Sequence, residues 1–267
     1  MEKYRKEENT SLKAKLLFLF LAALAFATNL FGYSHKPKTL NQAIPIAKRF
    51  YLDYRMQTFY TNTEMNYTTK LRKKRFPLKP YLTWNLIPIN SEYNSTIYKD
   101  RAKKIEWEHV IPAHWLAMND PVAKKAWEEG DPSCVTKSGN SYKGRKCAEK
   151  VSERFNLMEA DLNNLVPVIG ALNAIRSDKE YCIIPGEERK YGENIDFESN
   201  STCVEIMESK RGNVARIMLK MKDKFNLVFP HNERTLKLLK EWNRTDPESE
   251  WEKKKFKILK DTFGPDY

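Results

Sequence analysis

Glu106-Trp107-Glu108-His109-Val110-Ile111-Pro112-Ala113 sets two carboxylates and one of the chain's four histidines inside an apolar run that closes on a proline. Ile105, Trp107, Val110 and Ile111 are branched or aromatic, which predicts a strand from Ile105 to Ile111. Glu106, Glu108 and His109 do not suit the inside of a sheet unless each finds a partner, because an uncompensated buried charge is costly. The stretch therefore predicts a site at the end of a strand. Neighbours on an extended chain point to opposite faces, so Glu108 and His109 address one ligand together only if the backbone turns or bulges there.

Outward from this stretch, a second one has the same mixture: Asp161-Leu162-Asn163-Asn164-Leu165-Val166-Pro167-Val168-Ile169-Gly170-Ala171-Leu172-Asn173-Ala174-Ile175-Arg176. Between the two lies Gly144-Arg145-Lys146-Cys147, and after them Arg211-Gly212-Asn213-Val214-Ala215-Arg216. In this order the four resemble the bacterial endonuclease I family. There, Trp-Glu-His-Val-(Val/Ile)-Pro-Ala precedes a Gly-Arg-Lys segment and then Asp-x-x-Asn-Leu-x-Pro-x-x-Gly-x-x-Asn-x-x-Arg. Four motifs in order, spanning residues from about 40 to the C terminus, are far more specific than any one alone.

The resemblance implies an α+β domain with a ββα-metal nuclease core that cuts DNA, and RNA as well, with little sequence preference. It implies His109 as the base that activates water, with Glu108 and Asn164 as protein ligands of one Mg²⁺. Oxygen donors with waters left in place suit that ion better than zinc. Arg145 and Arg176 are the cations expected at the scissile phosphate, since guanidinium forks match phosphate oxygens. Glu149 matches an acidic residue found there in part of the family and is expected to stand behind the site. Lys146, Arg211 and Arg216 are expected to contact nucleic acid, the last two on a basic C-terminal helix. Two departures stand out. Asn163 replaces a histidine or aromatic residue, and Phe59-Tyr60-Thr61-Asn62-Thr63 stands where many members have Phe-Tyr-Cys-Gly-Cys.

Composition supports a polyanionic partner independently. The chain has 267 residues, enough for one sizeable core, and a formal net charge of +12. Charge alone also fits a noncatalytic basic binding protein. Helical spacing of apolar residues predicts helices within 40–56, 153–157, 170–179, 214–225 and 233–242, while prolines and asparagines cut 68–96 into short strands and loops.

The first 27 residues read as a signal peptide, with Lys3, Arg5, Lys6, Lys13 and Lys15 ahead of the apolar run 16–27 and a small-x-small end at Ala25-Phe26-Ala27. Leu30 and Phe31 can extend the apolar run, which leaves an uncleaved anchor as the alternative. Residues 28–39 would be a short lead-in and 40–267 the catalytic domain, periplasmic or secreted and without lasting membrane association once the signal is removed. Four cysteines suit an oxidising compartment and admit three pairings. The short spacing across a polar loop favours Cys134 with Cys147, leaving Cys182 with Cys203. No pair has the tight spacing of a zinc site.

Overall fold

Ile105, Trp107 and His109 alternate with Glu106 and Glu108, and the chain extends here as that pattern predicts. Ile105–His109 is a strand antiparallel to Leu165–Ile169, pairing Trp107 with Pro167, Glu108 with Val166 and His109 with Leu165. The computed structural model describes residues 35–54, 57–73, 80–186, 188–265 and 267, with backbone alone at 52, 69–73 and 80–84. The proposed signal peptide lies outside the described residues.

In chain order, the elements begin with helix α1 (Leu40–Tyr54), the hairpin β1 (Met65–Lys73) and β2 (Pro80–Pro88), the short α2 (Lys99–Ala102) and β3 (Ile105–His109). Helices α3 (Ala113–Met118), α4 (Pro121–Glu128), α5 (Arg145–Val151) and α6 (Glu153–Glu159) follow, then β4 (Leu165–Ile169) and α7 (Gly170–Arg176). Strands β5 (Glu180–Tyr181), β6 (Phe197–Ser199) and β7 (Cys203–Ile206) form a small sheet with β7 central. A 3₁₀ turn leads into the closing helices α8 (Arg211–Phe225), α9 (Asn232–Thr245) and α10 (Glu250–Phe263). The fold is α+β in one domain, as expected.

The ββα unit β3–β4–α7 sits in the centre of this arrangement. Every residue of β4 is buried, so its run of Leu, Val, Pro, Val and Ile is a core strand. The strand passes directly into α7 at Gly170. A Cβ there would lie 2.7 Å from Arg101 O and 2.7 Å from Glu106 Oε1, so only glycine lets the helix start this close to β3. Helix α8 buries Val214, Ala215, Ile217, Met218 and Met221, and is a core helix. Helix α10, which the spacing analysis does not predict, is set by a capping box at Ser249 and Glu252.

Both cysteine pairs form as expected, Cys134 with Cys147 and Cys182 with Cys203. Where the family pattern has a third cysteine pair, Thr61 and Thr63 touch instead, Oγ1 to Oγ1 at 2.8 Å. Asn62 between them adopts φ +51°, the left-handed turn that a glycine would otherwise supply.

Candidate active site

His109 closes β3 and is 6% exposed, so its ring needs an internal partner. That partner is the backbone carbonyl of Glu159, 2.9 Å from Nε2. A carbonyl only accepts, so Nε2 carries the proton and Nδ1 keeps the lone pair. Burial, and then the positive charge of Arg145, hold the imidazole's pKa down at about 3, so the ring is neutral at physiological pH.

Helix α6 brings Glu159 here. Ser152 caps it by accepting from Phe155 N, and Phe155, Met158 and Glu159 share its buried face. Burial pushes the Glu159 carboxyl up to about 7, against the opposing charge of Arg145. Arg145 Nη2 lies 2.6 Å from Glu159 Oε1, and Arg145 Nε lies 3.3 Å from Glu149 Oε1. These are ion contacts with poor alignment: neither Glu159 oxygen accepts a hydrogen bond, and Arg145 Nε and Nη2 donate none. Glu149 also holds Lys146, whose side chain is 76% exposed. Glu149 therefore stands beside Arg145 and Lys146.

Glu108 faces the other side of β3. Tyr60 donates to its Oε1 at 3.3 Å, Tyr60 and Tyr181 share a 2.7 Å hydroxyl contact, and Arg176 Nη1 is 3.5 Å away. Burial raises the carboxyl to about 7, because Arg176 offsets only part of the desolvation. Burial likewise raises Tyr181 to about 12, so the phenol stays a hydrogen-bond donor.

The other expected site residues are held by the protein itself. Arg176 is fully buried, donates to Val110 O at 2.6 Å, His109 O at 3.4 Å and Ser177 O at 3.2 Å, and lies over the Tyr181 ring at 4.8 Å. It braces the turn after His109 and has no face for a phosphate. Asn164 is also fully buried, accepting from Ile111 N at 2.7 Å and donating to Ile111 O at 3.1 Å. Its amide pins β4 to the chain beyond His109, and the amide oxygen keeps a second lone pair. Arg211 binds Glu205 Oε1 at 2.6 Å and Ile206 O at 3.2 Å, while Arg216 is buried against Glu252. Arg216 is closed to nucleic acid in the core, and Arg211, 22% exposed, is held by Glu205. Of the predicted cations, Arg145 lies close enough to His109 to lower its pKa, and Lys146 is held on Glu149 beside Arg145.

Two participants escaped the sequence analysis. Glu159 had one signal, a carboxylate on the apolar face of a helix four residues after Phe155. Tyr60 had none beyond its place in the Phe59–Thr63 segment. Among the described residues, no three His, Cys, Asp or Glu side chains gather as a metal cage. A hard cation that keeps most of its waters needs only one or two protein oxygen ligands, and Glu108 is buried with too little positive charge around it. Its chemistry fits Mg²⁺.

The Endonuclease I family profile matches residues 34–265. The chain belongs to the endonuclease I family. It is 32% identical to Endonuclease-1 of Buchnera aphidicola subsp. Acyrthosiphon pisum over 162 residues, covering 60% of this chain and 57% of that protein. It is 33% identical to an Extracellular deoxyribonuclease of Aeromonas hydrophila over 159 residues, 57% of this chain and 59% of that protein. A Periplasmic deoxyribonuclease of the same organism is also 33% identical over 159 residues, covering 57% of each chain. The aligned part thus spans a little over half the length of these endonuclease I relatives.

Proposed function

We propose that this chain is an exported, Mg²⁺-dependent endonuclease that hydrolyses phosphodiester bonds of DNA, and of RNA, with little sequence preference. The observation that carries the proposal is the tautomer of His109, fixed by the Glu159 carbonyl so that a neutral Nδ1 is the base. That nitrogen takes a proton from the attacking water. Arg145 and Lys146 supply positive charge for the phosphate oxygens, and contacts to phosphate carry no base information. A phosphate against Arg145 also cancels charge that depresses the imidazole, so substrate binding itself makes His109 more basic.

Glu108 and Asn164 are the residues that would hold the cation, Glu108 through its carboxylate and Asn164 through the second lone pair of its amide oxygen. When bound, the cation stabilises charge on the phosphoryl group and the leaving 3′ oxygen. Arg176 and Asn164 position the backbone on which His109 stands. Export is supported by the basic, then apolar, N-terminal sequence, by two disulfides, and by relatives named as extracellular and periplasmic deoxyribonucleases. Among the described residues no helix is long and apolar enough to cross a membrane.

Purified protein incubated with supercoiled plasmid should nick and linearise it in Mg²⁺, and excess EDTA should stop the reaction. Undiminished turnover in EDTA would overturn the cation, and intact plasmid in every divalent metal would overturn the nuclease.

A further inference from the structure

From Met65 to Ser91 the sequence contains no Asp or Glu, while Lys70, Arg72, Lys73, Lys74, Arg75 and Lys79 supply six of the net twelve positive charges. Of these, Lys70, Arg72 and Lys73 stand on β1. Strands β1 and β2 pair with each other over nine residues and with no other strand among those described, giving a ribbon about 30 Å long at ~3.3 Å per residue.

The register sorts the ribbon into two unlike faces. Cross-strand partners share a face, and alternate residues change face. One face carries Met65, Tyr67, Thr69, Leu71 and Lys73 with Pro80, Leu82, Trp84, Leu86 and Pro88; the other carries Asn66, Thr68, Lys70 and Arg72 with Tyr81, Thr83, Asn85 and Ile87. At the root, Met65 and Leu86 are buried with Phe50 and Tyr51 of α1, whereas Asn66 and Asn85 are exposed. Ile89 N closes the base of the ribbon on Glu64 O at 2.8 Å, and the segment that leads into β1 is fastened to the site where Phe59 N donates to Pro167 O of β4 at 2.8 Å.

We propose that β1–β2 is a nucleic-acid-binding ribbon whose basic, hydroxyl- and amide-bearing face grips duplex DNA phosphates beside the ββα site. The inference rests on the nuclease reading and adds the surface that holds the substrate. Lys, Arg, Thr, Asn and Tyr are side chains that contact phosphate, and no carboxylate on the ribbon opposes them. With Arg216 buried and Arg211 held by Glu205, the ribbon is a cationic surface that fits a polyanion. The preceding segment, bonded to β4 through Phe59, ties the ribbon to the strand that pairs with β3.

The test is a titration of duplex DNA by fluorescence anisotropy over a range of NaCl, in a His109→Ala background that binds without cutting. Adding Lys70→Ala and Arg72→Ala should flatten the slope of log affinity against log salt by about 2, at ~0.9 per phosphate contact, and raise Kd about tenfold. With His109 restored, KM should rise while kcat at saturating DNA stays the same. Lys70→Arg with Arg72→Lys should keep both affinity and slope.

An unchanged slope and KM in the alanine pair would overturn the ribbon. So would unchanged DNA affinity accompanied by lost binding to phosphatidylserine vesicles, which would assign the face to a membrane surface. If the pair fails to fold, Lys70→Gln and Arg72→Gln singly should each remove about one unit of slope, and no change in either overturns the proposal. Failure of the unsubstituted protein to cut DNA would sink the nuclease reading, whereas the anisotropy result stands apart from cutting.

Discussion

Arg216–Glu252 and Arg145–Glu159 join the same two side-chain types, yet the protein treats them in opposite ways. Arg216 meets Glu252 as a fork, Nε to Oε1 at 2.8 Å and Nη2 to Oε2 at 2.7 Å, and its Nη1 also reaches Asn243 Oδ1 at 3.3 Å. Burial pushes the Glu252 carboxyl up, but hydrogen bonds from Arg216 and Ser249 outweigh it and leave the pKa lowered. Arg145 touches Glu159 without a hydrogen bond, burial prevails, and the pKa rises to about 7. A saturated pair locks α8 to α10. An unsaturated pair keeps donors and acceptors for something that is not protein, and it lies beside the one histidine whose ring is buried.

The sharpest break of this contrast is chemical. His109→Ala should lower the cleavage rate by about 10²- to 10⁴-fold, the usual contribution of a general base, while DNA affinity holds because Arg145 and Lys146 remain. Near-normal turnover of plasmid by the purified variant would move the chemistry elsewhere.

The next test exchanges the two arginines. Arg216→Ala strands Glu252 in the core and should cost about 3–5 kcal/mol in urea unfolding, with kcat of the remaining folded enzyme unchanged. Arg145→Ala should cost under about 1 kcal/mol, since that pair is poorly aligned and about a third of the arginine side chain is exposed. It should instead lower kcat about 10²-fold by removing charge from the phosphate site. Equal destabilisation by the two substitutions would erase the distinction.

The strand, the ββα order and both disulfides were legible because each rests on local pattern: alternation in 105–109, the passage of Leu165–Ile169 into Gly170, and spacing between cysteines. The imidazole was legible too, from the family motif. The assignment of the arginines was not, since Arg145, Arg176, Arg211 and Arg216 are alike in sequence and are separated only by what faces them. Glu252 and the carbonyls of His109 and Val110 claim Arg216 and Arg176, and both partnerships span dozens of residues. Asn164 shows the same limit: its hydrogen bonds reach Ile111, 53 residues away, which the local sequence does not show.

The Cys134–Cys147 bridge supports the unsaturated side. It closes a thirteen-residue separation, and Arg145 stands two residues before its second cysteine. A loop of this size contributes about 3 kcal/mol in the chain-entropy account. Dithiothreitol should therefore lower both melting temperature and nuclease activity. Replacing Cys182 and Cys203 by serine should lower stability with less effect on activity per kcal/mol lost, because that bridge joins β7 to the chain beyond β5, away from Arg145. Full activity with all four thiols free, shown by peptide mapping, would separate the bridge from the site.

The smallest effect is the dependence of stability on pH, and its sign distinguishes the groups. Glu159 has a native pKa of about 7 against an ordinary 4.5, so between those values the native protein holds a proton that the unfolded chain has released. Its contribution is therefore complete below about 4.5 and lost as pH rises through about 7; Glu108 has the same sign and window. His109 runs the other way, with a native pKa of about 3 against 6.5, so its neutral burial costs stability as pH falls from 6.5 towards 3. Glu159→Gln removes one group without touching the imidazole–carbonyl hydrogen bond, which uses the backbone oxygen. The difference in unfolding free energy between Glu159→Gln and the unsubstituted protein should shift in favour of the variant by on the order of 1 kcal/mol from pH 4.5 to 7, less than the full linkage because water screens the partly exposed Arg145. Urea midpoints at half-unit pH steps measure it. A difference that does not change with pH would mean that Glu159 ionises as freely as Glu252, and the two pairs would then be alike.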